Sequence, residues 1–205
     1  MTDSVGSSPN LQAALAYAKW LHSGQRRRVD GAPFILHPLE VVSLLRGAGA
    51  PDHVIVAGAL HDIIEKTDVD AADLQARFGP AVATVVLAVT EDARIIDYEQ
   101  RKAALREQVA RAGQEAMLVF AADKISKVRE LSLQRPERRQ SRRHAGWSTR
   151  RRDRRLAHYR RCLLLLRKHL PDSPLVKQLA AELDAIGAPG GGSSEGSLEP
   201  PLRAC

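Results

Sequence analysis

Apolar residues recur at helical spacing along most of this chain, and that periodicity is the strongest constraint on its fold. The first example follows Ser8-Pro9 and ends near His22, with apolar residues at Leu11, Ala14, Leu15, Ala18 and Leu21. Similar patterns predict further helices near 39–47, 51–65, 70–78, 82–89, 97–112, 114–131, 148–170 and 172–186. The β-branched residues of 82–89 could also form a buried strand, but the mixture of Ala and Leu and the following Thr90-Glu91-Asp92 favour a helix. No segment alternates polar and apolar residues for long enough to build a sheet. The sequence therefore predicts an all-α fold.

Changes in composition divide the chain into four parts. Residues 1–8 are expected to be a flexible N-terminus, and 9–134 form the main domain. Residues 135–186 hold an Arg-rich segment and two C-terminal helices that are expected to pack on that domain. From 187 to 205 the chain is rich in Gly and Ser and has too few apolar residues to order itself, so a disordered tail is predicted.

The positive charge of the chain is concentrated in one segment. The net charge is +7, yet residues 135–161 alone contribute +10, from 12 arginines against two acids. Such a run can neutralise nucleic-acid phosphates, although a solvated helix face is the more usual explanation. Aromatic residues make up only 4% of the chain, which argues against a protein that stacks single-stranded bases on aromatic rings.

Cysteine content and hydropathy suggest where the protein works. Two cysteines are too few for a disulfide framework, so a reducing compartment is expected. No signal-peptide pattern is visible at the N-terminus, and the longest strongly apolar run is far shorter than the ~20 residues that cross a bilayer. We therefore expect a cytoplasmic protein with no membrane association.

Two histidines and two aspartates form a candidate metal site. His37 precedes a proline, His61-Asp62 lies inside the third predicted helix, and Asp123 interrupts the apolar segment 117–122. Imidazole with carboxylate suits a divalent transition ion such as Mn²⁺, Fe²⁺ or Zn²⁺. A buried carboxylate needs a partner, and for Asp123 the alternative to a metal is an ion pair with Lys127, four residues further along the helix.

The order and flanks of these residues resemble a known family. The matching segments are His22-Ser23-Gly24-Gln25-Arg26-Arg27, Gly31-Ala32-Pro33-Phe34-Ile35-Leu36-His37-Pro38, Ala59-Leu60-His61-Asp62-Ile63-Ile64-Glu65-Lys66-Thr67, Phe78-Gly79, Val89-Thr90 and Ala122-Asp123-Lys124. Together they resemble HD-domain metal-dependent phosphohydrolases, and most closely the hydrolase domain of RelA/SpoT proteins and the stand-alone small alarmone hydrolases. The resemblance covers roughly Leu11 to Leu131. It implies an HD-type helical bundle, here with a C-terminal helical extension.

The resemblance also implies an activity and a set of site residues. His37, His61, Asp62 and Asp123 would bind Mn²⁺, and a metal-activated water would remove the 3′-pyrophosphate from guanosine tetra- or pentaphosphate. Arg27 would lie against the guanine base or help hold the nucleotide, and Lys102 matches a basic position that can face the phosphates. Glu65 lies four residues after His61, where a carboxylate could position or deprotonate the water, although a solvent-exposed helix-end acid is the alternative.

Two positions depart from the family pattern. Lys66 stands where the family usually has a second acid after Glu65, and Lys127 stands where it usually has an asparagine that contacts the nucleotide. Both changes add positive charge near the expected site, and a lysine attracts phosphate. Lys66 could also form a local ion pair with Asp62, four residues earlier.

Two other functions compete with hydrolysis. Because Lys66 replaces an acid that could manage the catalytic proton, the chain could be a catalytically weakened HD protein that binds a nucleotide and regulates a partner. The Arg-rich segment could instead make it a nucleic-acid-binding protein. The leading hypothesis remains a metal-dependent hydrolase whose substrate is a nucleotide with clustered phosphates, and the sequence does not indicate an oligomeric state.

Overall fold

A computed structural model describes residues 8–133 and 142–187, with side chains described over 8–133 and 150–186. Over these residues the chain forms ten helices, which we number in chain order: α1 (Pro9–Leu21), α2 (Leu36–Gly47), α3 (Asp52–Leu60), α4 (Ile63–Lys66), α5 (Ala71–Phe78), α6 (Pro80–Val89), α7 (Tyr98–Ala112), α8 (Gln114–Ser132), α9 (Arg142–His169) and α10 (Pro174–Gly187). The described part contains no strand and only one isolated bridge, between Arg26 and Pro33. The predicted all-α fold is confirmed.

Polar side chains mark the starts of several helices where the sequence predicts them. The Ser8 hydroxyl caps α1 by accepting from the Leu11 amide, and Asp70 and Asp97 cap α5 and α7 in the same manner. Each cap satisfies a backbone N–H that has no partner within the helix. Gly79 separates α5 from α6 with φ of +86°, a conformation that favours glycine, so two short helices form instead of one long one.

The prediction of one continuous helix over 51–65 is wrong in one respect, because the helix is interrupted at His61-Asp62. Helix α3 ends at Leu60 and the short α4 begins at Ile63. The Gly58 carbonyl would be the acceptor for the Asp62 amide in a continuous helix, and here it accepts a hydrogen bond of 2.8 Å from the His61 ring. This side-chain bond competes with the helical pattern at the point where the metal-site candidates lie.

The close approach of α2 and α3 brings two distant parts of the sequence together. A Cβ atom on Gly58 would lie only 2.3 Å from Leu45 Cδ1, so the glycine is what allows this contact. Helix α3 is almost wholly buried and packs against α1, α2, α6 and α8. The start of α2 and the end of α3 therefore meet beside the middle of α8, in the centre of the core.

The C-terminal helices α9 and α10 pack against α8 and against each other. Helix α9 begins at Arg142, six residues earlier than predicted, because the Arg-rich sequence continues the helix towards the N-terminus. The predicted flexible N-terminus and Gly/Ser tail fall at 1–7 and 188–205, outside the described residues, apart from their boundary positions. The domain boundary at 134 stays a prediction. None of the described helices is long and apolar enough to cross a membrane.

Candidate metal centre and active site

Three separate parts of the fold bring His37, His61 and Asp123 into one buried group. His37 lies in the first turn of α2, His61 follows the last residue of α3, and Asp123 is midway along α8. The two Nε2 atoms are 3.2 Å apart, and Asp123 Oδ1 lies 3.2 Å from His37 Nε2 and 3.6 Å from His61 Nε2. All three residues are almost inaccessible to solvent.

Asp62 completes the group from the other side. Its Oδ2 atom lies 3.5 Å from the Nε2 atoms of both His37 and His61. Although adjacent residues on a helix point about 100° apart, the interruption at His61-Asp62 lets both side chains face the same buried space. His37, His61 and Asp123 form a group whose donor atoms all lie within 4.8 Å of one another, and Asp62 lies beside its two histidines.

Hydrogen bonds at the far nitrogens determine which nitrogen of each histidine faces the centre. His61 Nδ1 donates to the Gly58 carbonyl, a bond that requires the proton on Nδ1. His37 Nδ1 lies 2.8 Å from Ser126 Oγ, and Ser126 uses its own proton to donate to Glu40 at 2.6 Å. The serine oxygen therefore accepts from His37 Nδ1–H. In the neutral forms, both Nε2 atoms present a lone pair to the centre.

The donor atoms fit a divalent transition ion. Asp62 Oδ2 is buried and has no hydrogen-bond partner among the described residues, and Asp123 Oδ1 is buried without a well-aligned hydrogen bond. Bonds of about 2.1 Å to one ion place neighbouring ligand atoms about 3.0–3.5 Å apart, which is close to the distances seen here. Imidazole nitrogens and carboxylate oxygens together suit Mn²⁺, Fe²⁺ or Zn²⁺, and the geometry alone does not select one of them.

Two lysines neutralise Asp123. Lys124 bonds to its Oδ2 atom, and Lys127 Nζ lies 2.9 Å from its Oδ1 atom. Burial opposes ionisation of Asp123, but the charges of Lys124 and Lys127 outweigh it and hold the pKa of Asp123 well below its usual value. The ion pair with Lys127 that the sequence offered as an alternative is therefore present. It involves the same oxygen that faces the two histidines.

Charge also decides how the histidines titrate. Burial lowers the pKa of His37. Burial acts in the same direction on His61, but the carboxylates of Asp62 and Asp123 outweigh it and raise the pKa of His61 above its ordinary value. The two histidines differ because His61 is the more strongly influenced by the negative charge of the site.

Glu65 and Lys66 follow the centre on α4. Glu65 Oε1 accepts a hydrogen bond of 2.7 Å from the Glu91 amide, which fixes the carboxylate at the start of the loop after α6. Lys66 Nζ lies 4.0 Å from Asp62 Oδ1 and 5.0 Å above the ring of Phe34. The alternative local pairing of Lys66 with Asp62 is thus present only as a long contact.

Arg27 and Lys102 are each paired with an acidic residue, and contacts of nearby acidic residues connect them to the site. Arg27 pairs with Asp30, and its guanidinium lies 3.8 Å from Glu130, which is itself 3.6 Å from His37 Nδ1. Lys102 is paired with Glu91, whose amide holds Glu65. Burial and the charge of Lys124 lower the pKa of Lys102, although Glu91 opposes this effect. Whether these residues contact a substrate stays a prediction.

Several residues of the site have no distinct signal in the sequence. Ser126 and Glu40 orient His37, Glu91 holds both Glu65 and Lys102, and Phe34 lies between His22 and His37 with Lys66 over its ring. The links from Ser126 to His37 and from Glu91 to Glu65 join residues that are far apart in the chain. Phe34 lies inside one of the segments that match the family pattern, and Glu91 directly follows another. The family resemblance was therefore the one feature of the sequence that could have indicated these two residues.

Comparison with known proteins defines the class. The HD domain family matches residues 14–148, about two thirds of the chain, and this chain therefore belongs to the HD-domain family. The buried group of histidines and aspartate described above lies within that region.

Individual relatives show which members of this family the chain is similar to. The guanosine-3′,5′-bis(diphosphate) 3′-pyrophosphohydrolase MESH1 of Drosophila melanogaster is 31% identical over 149 residues, covering 71% of this chain and 78% of the relative. The human protein of the same name is 34% identical over 141 residues, covering 67% of this chain and 74% of the relative. A solved structure of a metazoan ortholog of SpoT, described as hydrolysing ppGpp, superposes with a TM-score of 0.76 at 27% identity, over 90% of this chain and 99% of that structure. None of these descriptions favours a nucleic-acid-binding role.

Proposed function

We propose that this protein is a metal-dependent hydrolase that removes the 3′-pyrophosphate from ppGpp or a closely related nucleotide. The observation that carries the proposal is the buried group in which the Nε2 atoms of His37 and His61 lie 3.2–3.6 Å from carboxylate oxygens of Asp123 and Asp62. Hydrolases of that name are 31% and 34% identical to this chain over most of their length. Their substrate carries clustered phosphates, which need positive charge at the site.

We infer that the group binds Mn²⁺ through His37, His61, Asp62 and Asp123. A divalent ion at this point would lower the pKa of a water molecule and neutralise charge on phosphoryl oxygens. The protein contributes by fixing the ligands in advance, since both histidines are oriented by hydrogen bonds at Nδ1. Mn²⁺ is the choice that the family resemblance implies, and the donor set accepts it.

Glu65 is the proposed general base. Its carboxylate is held by the Glu91 amide and helps to raise the pKa of Lys127, which pairs with Asp123, so we propose that it lies near enough to accept a proton from the attacking water. The water oxygen bonds to the phosphorus attached to the ribose 3′ oxygen, and that phosphorus–oxygen bond breaks. The 3′ oxygen leaves with the electron pair of that bond and takes up the proton that Glu65 removed from the water, which gives a 3′ hydroxyl group and pyrophosphate.

The proposed substrate contacts come from four cations. Lys66 has the weakest ion pair of the four, since its nearest carboxylate oxygen among the described residues is that of Asp62, 4.0 Å away. Arg27, Lys102 and Lys127 each have a carboxylate partner that a phosphate would have to replace or share. Arg27 is proposed to hold the nucleotide on the His37 side, and Lys102 and Lys127 to face the phosphates.

The proposal extends to the catalytic domain and to the location of the protein in the cell. We propose that residues 9–134 form the catalytic domain, on which α9 and α10 pack. A cytoplasmic location is proposed because the chain has only two cysteines, of which Cys162 is buried as a free thiol, and because its substrate would be an intracellular nucleotide.

The test is pyrophosphate release from ppGpp by the purified full-length protein. The protein is first stripped of metal and then assayed with and without added Mn²⁺. We expect GDP and pyrophosphate as products only with the metal, and loss of both in Asp123→Asn. If the wild type binds Mn²⁺ but releases pyrophosphate from other phosphorylated nucleotides and not from ppGpp, the substrate is wrong and the reaction class stands. If it hydrolyses none of them, the proposed function is wrong.

A further inference from the structure

A hydrogen-bonded chain runs from the centre to the C-terminal helix. Ser126 receives the His37 Nδ1 proton at 2.8 Å and donates its own proton to Glu40 Oε2 at 2.6 Å. The other oxygen of Glu40 accepts from Arg129 Nη1 at 2.9 Å, and Arg129 Nε donates to Glu182 on α10 at 2.6 Å. One continuous set of contacts therefore joins α2, α8 and α10.

Each link has a defined direction, which distinguishes this chain from ordinary surface pairing. Glu40 accepts only, so the Ser126 proton must point at it, and the serine oxygen is left to accept from His37. The bond from Ser126 to the charged Glu40 is short, as hydrogen bonds to carboxylates are. Ser126 and His37 are fully buried, so their hydrogen bond is shielded from water, whereas Glu40 is partly exposed.

The two histidines of the centre are held by different means. His61 is fixed by a backbone carbonyl, that of Gly58, which no substitution of a side chain removes. His37 is fixed by a side chain that depends on a second side chain. Metal-binding histidines generally donate their other N–H to a carboxylate or carbonyl, and losing that partner weakens metal binding by about 10–100-fold.

From this geometry we propose that Ser126 and Glu40 are positioning residues that keep His37 ready to bind the metal, and that Arg129 and Glu182 tie them to α10. Arg129 holds Glu40 against Ser126 and keeps it from turning towards solvent. The C-terminal helix thus contributes to the metal site without touching it. This inference rests on the metal centre of the proposed function.

The first experiment measures Mn²⁺ affinity by isothermal titration of metal-stripped Ser126→Ala. Ser132→Ala is the matched control, because Ser132 lies on the same helix and its hydroxyl bonds only to the Val128 carbonyl among the described contacts. We expect Ser126→Ala to bind Mn²⁺ about 10–100-fold more weakly and Ser132→Ala to bind it as the wild type does. Equal affinities in both variants would overturn the inference.

A second readout separates positioning from general loss of structure. Nitrogen-15 NMR of the metal-free protein reports which ring nitrogen of His37 carries the proton. We expect the Nδ1–H form in the wild type and in Ser132→Ala, and a mixture of both forms in Ser126→Ala. A pure Nδ1–H form in Ser126→Ala would count against the role of the serine.

Glu40→Gln and Glu182→Ala test the outer links if Ser126→Ala does not fold. The amide oxygen introduced by Glu40→Gln can still accept from Ser126 but lacks the charge, so a smaller loss of Mn²⁺ affinity is expected than from Glu40→Ala. Glu182→Ala should weaken binding measurably although the residue lies on α10. If Glu40→Ala binds Mn²⁺ with unchanged affinity, the inference is wrong.

The outcomes also distinguish this inference from the proposed function. A wild type that binds no Mn²⁺ overturns both. A wild type that binds Mn²⁺ but does not release pyrophosphate overturns the hydrolase alone, and the Ser126→Ala comparison still decides whether His37 is positioned in this way.

Discussion

His37 Nε2 and His61 Nε2 lie 3.2 Å apart, and neither nitrogen has a proton to offer the other when both rings are neutral. Two lone pairs facing each other in a buried space repel unless a proton or a cation lies between them. The raised pKa of His61 indicates that a proton can fill this role in the metal-free protein. Mn²⁺ would replace it and relieve the same repulsion.

We therefore expect Mn²⁺ to stabilise the folded protein. At a free concentration 100-fold above the dissociation constant the gain is about 2.7 kcal/mol, which corresponds to a rise in Tm of roughly 5–10 °C for a chain of this size. His61→Ala should abolish the rise. The control is His53→Ala, since His53 is partly exposed and pairs with Glu115. Calorimetric scans with and without Mn²⁺ provide the measurement, and a full Tm rise in His61→Ala would contradict the assignment.

Lys127→Met should tighten Mn²⁺ binding. The Lys127 ammonium lies 2.9 Å from the Asp123 oxygen that faces the two histidines, so it competes with a cation for that oxygen and repels it. Removal of one positive charge at this distance should strengthen Mn²⁺ binding by at least about tenfold, or 1.4 kcal/mol. Titration calorimetry measures the change. Lys177→Met, on the exposed face of α10, is the control, and weaker Mn²⁺ binding by Lys127→Met would show that Lys127 supports the centre.

Glu65→Gln should separate catalysis from metal binding. The amide keeps the size of the side chain and can still accept from the Glu91 N–H, but it cannot take a proton from water. We expect kcat for pyrophosphate release to fall about 10²–10⁴-fold, with Mn²⁺ affinity unchanged. Glu107→Gln, exposed on α7, serves as the control. Activity near that of the wild type would remove Glu65 from the role of general base.

Lys66→Met should affect substrate binding more than turnover. Since the Lys66 ammonium has no carboxylate closer than 4.0 Å among the described residues, it is available to a phosphate. We expect KM to rise about 5–10-fold, close to 1–1.4 kcal/mol, with Lys66→Arg remaining near the wild type. Steady-state kinetics at saturating Mn²⁺ measure both constants. A fall in kcat at constant KM would instead place Lys66 in the chemical step.

The pH dependence of stability should reveal the titration of His158, which is buried on α9 with its Nδ1 atom 2.9 Å from Arg106. Burial and the charges of Lys124, Lys102 and Arg106 lower the pKa of His158 from 6.5 to about 2. The unfolded state therefore takes up a proton below pH 6.5 that the folded state does not. The free energy of unfolding should fall by up to about 1.4 kcal/mol for each pH unit below 6.5 because of this residue alone.

His158→Gln should remove that part of the acid dependence. Urea unfolding at pH 7.5, 6.5 and 5.5 gives the slope, and the variant should lose less stability than the wild type between pH 6.5 and 5.5. His169→Gln, an exposed histidine on the same helix, should retain the slope of the wild type. Parallel pH profiles for His158→Gln and the wild type would contradict the assignment.

Local sequence patterns were sufficient to predict most of the helices, because their signals lie within a few residues. Asp97 at the start of α7 and Gly79 between α5 and α6 are read directly from the chain. The interruption at His61-Asp62 was not predicted, because it depends on a side-chain bond to Gly58 that competes with the helix. The early start of α9 was missed because arginine favours a helix without adding to the apolar periodicity on which the prediction depended.

For the site as well, features that depend on nearby residues were predictable and features that depend on distant partners were not. His37, His61, Asp62 and Asp123 were identified from residue type and family resemblance, and the structure brings them together. Ser126, Glu40 and Glu91 were missed because their partners lie 26 to 89 residues away in the sequence. A serine, a glutamate and a backbone amide have no distinctive pattern until the fold places them beside a histidine or a carboxylate.

The proposed ligands come from α2, the α3–α4 junction and α8, and Asp123 on α8 lies 61 residues beyond Asp62. No short segment of the nascent chain holds more than two of them, so the site exists only after these helices have docked. A cation bound by this group would therefore join helices that are distant in the sequence and stabilise their association.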